Sequence, residues 1–228
     1  MGILSSNRYE EILDKAIYKN YKYFVETGTY NGRSIIPLAK KFSNINFYTI
    51  EIVKELHNFA KNKAKDEGVK NINFYHGDSR KVLKELIDQI DSNYIIIFLD
   101  AHSSGYEGYS AETIEMDHAE NFFYKTLNKI LNKKKTITTN IKKNKLSDTE
   151  VPLLDELKLI SSIKKNFLIV IDDYDLFGEE HNFANWKHIN KNNINDIFKK
   201  KIINTFVMNK QGLNSPQYIL EINNTTND

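Results

Sequence analysis

Short apolar runs recur along this chain, and each closes on an acidic residue just where a turn or a helical pattern begins. Tyr23-Phe24-Val25 leads to Glu26, and Asn46–Ile50 leads to Glu51. Ile72–His76 leads to Gly77-Asp78, Tyr94–Leu99 to Asp100, and Phe167–Ile171 to Asp172 and Asp173. Between these runs apolar residues return at helical spacing: Ile35, Leu38, Ala39 and Phe42; Leu56, Phe59, Ala60 and Ala64; Val82, Leu83, Leu86 and Ile90. Strands alternating with helices predict an α/β fold, a Rossmann-like doubly wound sheet that is mostly parallel and covered on both faces. Tyr94–Leu99 is the most apolar run and belongs at its centre. Two closing runs, Ile202–Met208 and Tyr218–Ile222, flank Gln211-Gly212 and Asn214-Ser215-Pro216 and read as a C-terminal antiparallel hairpin. Together these runs predict seven strands. Ligands of such sheets bind beyond the carboxyl ends of the strands, where all these acids fall. Packing alone gives no reason for that coincidence.

The first run ends in a turn, Glu26-Thr-Gly28-Thr-Tyr30-Asn-Gly32, followed by Ser34 and a helix. Glycine there allows positive φ or close approach of another group. A strand, a glycine turn and a helix start can present backbone N–H groups to a carboxylate or phosphate. Upstream, Ser5 and Ser6 can cap a first helix carrying Ile12, Leu13, Ala16 and Ile17. The segment from Ala101 to Glu150 is too long for an ordinary connection. It holds Gly105, Tyr106, Gly108 and Tyr109, a helix-like piece through Phe122, Leu127 and Ile130, and a lysine-rich tract over 133–145. We read it as an insertion or lid at about 103–150 within a single domain spanning 1–228. Pro152 then opens a helix with Leu153, Leu154, Leu157 and Ile160 inside.

Composition narrows the function classes. Hydrophobic residues at 40% and charged residues at 27% suit a soluble globular protein. A net charge of +2 gives no global case for nucleic acid or an anionic membrane. The absence of cysteine removes disulfides, thiolate metal sites and cysteine nucleophiles, and fits a reducing compartment. No apolar leader or membrane-length run is present, so the expectation is a cytoplasmic protein.

The turn resembles the first motif of the class I S-adenosylmethionine-dependent methyltransferases, an acid followed by spaced glycines, with Tyr30 standing where a middle glycine is common. The seven-strand pattern with a terminal hairpin is similar too. The resemblance implies that Glu26, Gly28, Tyr30, Gly32 and Ser34 line the methionine end of the cofactor. It also implies that Glu51 accepts the ribose hydroxyls, for which a carboxylate has two acceptor oxygens. Asp78 and Ser79 would approach the adenine, and Asp100 would border the cofactor. Asp78 in Gly-Asp-Ser reads equally well as a helix N-cap. A nicotinamide-binding fold fits less well, because the glycines are spaced Gly-x-x-x-Gly.

Asp100 and the Asp172-Asp173 pair end runs expected to be neighbours, so three carboxylates could converge. Such a cluster repels unless it is protonated or bridged by a cation, and oxygen ligands suit Mg²⁺. This resembles the metal-dependent small-molecule and sugar O-methyltransferases, with Asp100, Asp172 and Asp173 as metal ligands. His102 could take the proton of an acceptor hydroxyl near neutral pH. The implied acceptor is a small hydroxylated molecule, a glycan or a nucleotide sugar, against which Tyr106, Tyr109 or Trp186 could stack. Nucleic acid is disfavoured: no Asn/Asp-Pro-Pro-Tyr element follows the fourth run and no basic domain is evident. Two alternatives stand beside this reading: a nucleic-acid methyltransferase clamping phosphates with residues 133–145, and a non-catalytic descendant that binds cofactor or a partner protein. A homo-oligomer is compatible with the sequence.

Overall fold

The computed structural model describes residues 20–102, 151–181, 184–208 and 216–225. The first unit is β1 (Tyr23–Thr27), α1 (Ile35–Lys41), β2 (Asn46–Glu51), α2 (Lys54–Asp66), β3 (Ile72–His76), α3 (Ser79–Gln89) and β4 (Tyr94–Leu99). It continues with α4 (Leu153–Ser161), β5 (Asn166–Ile171), a short antiparallel pair β6 (Glu180–His181) and β7 (Ala184–Asn185), α5 (Lys191–Phe198), β8 (Ile202–Met208) and β9 (Gln217–Asn223). The expected strands are all present, within a residue or two of the sequence-derived ends. The N-terminal helix, the 103–150 insertion with Tyr106 and Tyr109, and the Gln211–Ser215 turn lie outside the described residues.

The main sheet has the order β3-β2-β1-β4-β5-β9-β8. β1 pairs in parallel with β2 and β4, β2 with β3, and β4 with β5. β9 then runs antiparallel between β5 and β8. Alternation along each strand divides the core into two layers. Val25, Ile95, Ile97, Leu99, Ile169 and Ile171 face α3, α4 and α5, where Leu86, Leu157 and Phe198 meet them. Phe24, Ile96, Phe98 and Val170 face α1 and α2, against Ile35, Leu38 and Ala64. β4 is apolar on every residue from Ile95 to Leu99 because both its faces are covered. Since β1 and β4 are parallel neighbours, with Thr27 opposite Leu99, the turn after β1 and the residues after β4 emerge side by side.

Candidate active site

Gly28 sits against the end of β4. A Cβ there would lie 2.5 Å from the Asp100 carbonyl oxygen, and its φ of +84° favours glycine as well. Gly32, at φ +76°, closes the turn against Ile36. The turn's amides are spent inside the protein. Those of Gly28 and Thr29 donate to the Ile50 carbonyl, that of Gly32 to the Thr29 carbonyl, and that of Arg33 to Asn31 Oδ1. The Tyr30 amide donates to Glu51 Oε2 at 2.7 Å. The expected cradle of free N–H groups is therefore largely absent, because the turn uses them to lash β1 to β2. Ser34 is buried at the start of α1 and makes no capping hydrogen bond.

The turn offers acid instead. Glu26 points to the α1 and α2 side, where the Thr49 hydroxyl donates to its Oε2 at 2.7 Å. The Thr29 hydroxyl bonds Thr49 in turn, and because the Thr49 proton is given to Glu26, Thr29 must be the donor. Oε1 of Glu26 is buried with no hydrogen-bond partner. Burial, opposed by the Thr49 bond and reinforced by the Glu51 charge, pushes the pKa of Glu26 up to about 8. A buried acid with an open oxygen suits an ammonium group and opposes a phosphate.

Glu51 ends β2 and takes backbone hydrogen bonds from Tyr30 and, at 2.9 Å, from Val53. Burial outweighs these bonds and pushes its pKa up to about 6. The Ile52 amide is a further backbone donor to this carboxylate, so the acceptor capacity left for a ligand hydroxyl is small. Asp78 is differently engaged. It caps α3 by accepting from the Arg80 amide at 3.0 Å, and the Arg80 guanidinium grips its carboxylate, Nη2 to Oδ2 at 2.7 Å. The Arg80 hydrogen bond holds its pKa below the usual carboxylate value. Of the two readings of Gly-Asp-Ser, the helix cap is the one visible here. Ser79 is buried beside it as the first residue of α3.

Beyond β4 and β5, the structure brings together Asp100, His102 and Asp173. One donor atom from each lies within 4.8 Å of the others. His102 Nε2 is 2.9 Å from Asp173 Oδ2 and 3.6 Å from Asp100 Oδ1. Asp172 does not join this group. It follows β5 directly and turns toward β9, where Gln217 Nε2 donates to its Oδ1 at 3.0 Å. Successive side chains leave a strand on opposite faces. Asp173 is then turned by a left-handed φ of 53°, a conformation costing a non-glycine residue about 1–2 kcal/mol. Burial first, then the charges of Asp172, Asp173 and Glu26, raise the pKa of Asp100 well above its ordinary value. Two carboxylates and an imidazole at this spacing fit a divalent cation, which would also relieve the crowded negative charge.

Trp186 is buried rather than open to a ring ligand: its ring stacks on Phe177 at 6.0 Å and presents an edge to His102 at 5.6 Å. It packs against the His102 ring. Sequence reasoning passed over Glu156, on α4, which is fully buried beside Thr27 and Ser79. The signal was available, since Glu156 occupies the inner face of α4 with Leu153, Leu157 and Ile160.

The strand order, with parallel β1–β5 and an antiparallel β9 between β5 and β8, decides the fold. The chain has the fold of the class I methyltransferases. A family model described as O-methyltransferase matches residues 12–121, just under half of the chain. The O-methyltransferase TomG from Streptomyces achromogenes, solved with its cofactor SAM, superposes with a TM-score of 0.52 at 14% identity, over 96% of this chain and 81% of that one. A tRNA (guanine-N(7)-)-methyltransferase from Pediococcus pentosaceus is 33% identical over 82 residues, 36% of this chain and 39% of that protein. A bifunctional glycosyltransferase/methyltransferase from Fusobacterium nucleatum subsp. nucleatum is 28% identical over 187 residues, 78% of this chain and 27% of that protein. The chain thus spans between about a quarter and two fifths of the length of these curated relatives. The family match supports a methyltransferase enzyme. Among the described residues, no helix of this methyltransferase-fold chain is long and apolar enough to cross a membrane.

Proposed function

We propose that this protein transfers a methyl group from S-adenosylmethionine to a hydroxyl oxygen of a small acceptor, a glycan or nucleotide sugar, assisted by Mg²⁺. The observation that carries the reading is the convergence of Asp100, His102 and Asp173 directly beside the Gly28 turn. The Fusobacterium relative, whose name joins glycosyl and methyl transfer, supports a sugar-like acceptor.

Glu26 would meet the cofactor's ammonium with its open oxygen, and Glu51 would accept a ribose hydroxyl with the capacity its backbone bonds leave. Asp100 and Asp173 would hold the cation. Bound there, S-adenosylmethionine supplies an electrophilic methyl group and the cation lowers the pKa of an acceptor hydroxyl. His102, whose Nε2 faces Asp173 Oδ2 at 2.9 Å, would receive that proton on its other ring nitrogen. Asp172 stays behind the site on Gln217, and its charge adds to the negative field that a cation would neutralise. Much of the acceleration in such a transfer comes from alignment of acceptor oxygen and methyl group.

Calorimetric titration with S-adenosylhomocysteine tests the cofactor: micromolar binding is expected, weakened at least about tenfold by Glu51→Ala. Methyl transfer to a panel of sugars and nucleotide sugars should then depend on Mg²⁺ and vanish with a chelator. No binding by the unaltered protein would overturn the cofactor assignment. Transfer indifferent to chelation would overturn the metal.

A further inference from the structure

β8 is the outer strand of the sheet, paired with β9 on one side and with no strand among the described residues on the other. Edge strands of soluble proteins are commonly blunted by charge, proline or short length, because their open N–H and C=O groups recruit other strands. β8 uses none of these three devices within its seven residues, Ile202-Ile-Asn-Thr-Phe-Val-Met208. A bulge between Ile202 and Asn204 leaves the rest of its pairing regular. Two large apolar side chains of the strand stand in solvent: Ile203 is 61% exposed and Phe206 44%. They lie on opposite faces. Ile203 alternates with Thr205 and Val207 on the α5 side, while Phe206 alternates with Met208 on the α1 side. A flat apolar surface laid against either face covers only one of them. A strand added along the edge covers both, and it also takes up the open backbone groups.

We propose that β8 is the contact between two copies of this chain, which pair their β8 strands antiparallel about a two-fold axis at Thr205. The two sheets then continue into one. Such pairing sets Ile203 opposite the partner's Val207 and Phe206 opposite the partner's Asn204. No like charges face each other, since the strand carries none. Charge also sets the direction. Lys199, Lys200 and Lys201 lead directly into β8. Antiparallel strands hold the two lysine clusters at opposite ends of the pair, roughly 20 Å apart, beyond the Debye length of about 8 Å. A parallel arrangement would bring them together. A foreign strand would need acids against these lysines, whereas a second copy needs none. One strand against one strand is a small interface, below about 1,200 Å² in total, so the dimer is weak. None of the proposed active-site residues takes part in it.

Sedimentation velocity of the full chain, from low micromolar to submillimolar concentration, should show a reversible equilibrium between monomer and dimer. Phe206→Lys and Ile203→Lys should each weaken it by at least about tenfold. Melting temperature should stay unchanged in both, because the two side chains are exposed. The chain contains no cysteine, so a single introduced one reports on proximity. Residues directly opposite in an antiparallel pair have Cα atoms about 4.5–5.5 Å apart, within reach of a disulfide. Thr205→Cys should therefore cross-link two copies under mild oxidation. Tyr94→Cys, also exposed but at the start of β4, should not. A protein that stays monomeric, with Thr205→Cys no more readily cross-linked than Tyr94→Cys, overturns the inference. So does a dimer that both lysine substitutions leave intact. Adsorption of a monomer onto phosphatidylglycerol vesicles through Ile203 would give this edge to a lipid surface and overturn it too.

Discussion

At Gly28 the chain has no room for a side chain, because the Asp100 carbonyl occupies the space a Cβ would need and the backbone is left-handed. Gly28→Ala should cost about 2 kcal/mol or more in stability and abolish cofactor binding, read by denaturant titration and calorimetry. Asp173 and His102 carry different burdens in the proposed chemistry. Asp173→Asn should weaken Mg²⁺ binding by at least about tenfold. His102→Ala should instead lower kcat by about a hundredfold, the contribution of a general base, and leave Mg²⁺ affinity within a few-fold. If His102→Ala loses the cation as completely as Asp173→Asn does, the imidazole is a ligand and not the base. The sequence placed Glu26, Glu51, Asp100 and His102 at strand ends correctly, since an acid interrupting an apolar run is visible without coordinates. It could not separate Asp172 from Asp173. Their fates diverge through one left-handed φ and a glutamine 45 positions away, neither of which leaves a local mark.

The helix that follows β3 shows how an element can consume a residue that sequence motifs reserve for a ligand. Asp78 holds the first turn of α3 through the Arg80 amide and anchors the Arg80 side chain with the same carboxylate. Asp78→Ala should therefore destabilise the protein by about 1 kcal/mol, measured by chemical denaturation, the usual worth of an N-cap. Its effect on S-adenosylhomocysteine affinity should be smaller than that of Glu51→Ala. Helix α4 was legible as a helix, with Pro152 at its N-cap and three apolar residues in register. An acid on that same inner stripe is the anomaly that identifies Glu156, and only helical geometry converts the spacing into a buried position. The closing hairpin was legible as a pair, but pairing does not say which strand joins the sheet. Burial says so: β9 is buried from Gln217 to Leu220, whereas β8 is exposed from Ile203 to Phe206.

The molecule as a whole concentrates raised carboxyl pKa values at one end of its sheet. Glu51, Glu156 and Glu26 stand at about 6, 7 and 8, each pushed up from 4.5 chiefly by burial. Between pH 4.5 and 8 the folded state holds protons that the unfolded chain has lost. The associated stability is complete below about pH 4.5 and declines as pH rises through these values. The ligand-free protein should accordingly melt lower at pH 8.5 than at pH 5.5, by on the order of 10 °C, seen by scanning calorimetry in chelator. A flat profile over that interval would show that these acids are not held protonated. The sheet order has a consequence in time as well as in space. β9, near the end of this sequence, lies inside the sheet, hydrogen-bonded to β5 on one side and β8 on the other. A ribosome making residues 166–171 releases a strand whose open edge has no lasting neighbour until residues 217–223 follow. During that interval β8 cannot reach the sheet, and the half-made chain carries a sticky edge. β9 is thus the keystone of the wall that supports Asp172, joining β8 to the rest of the sheet.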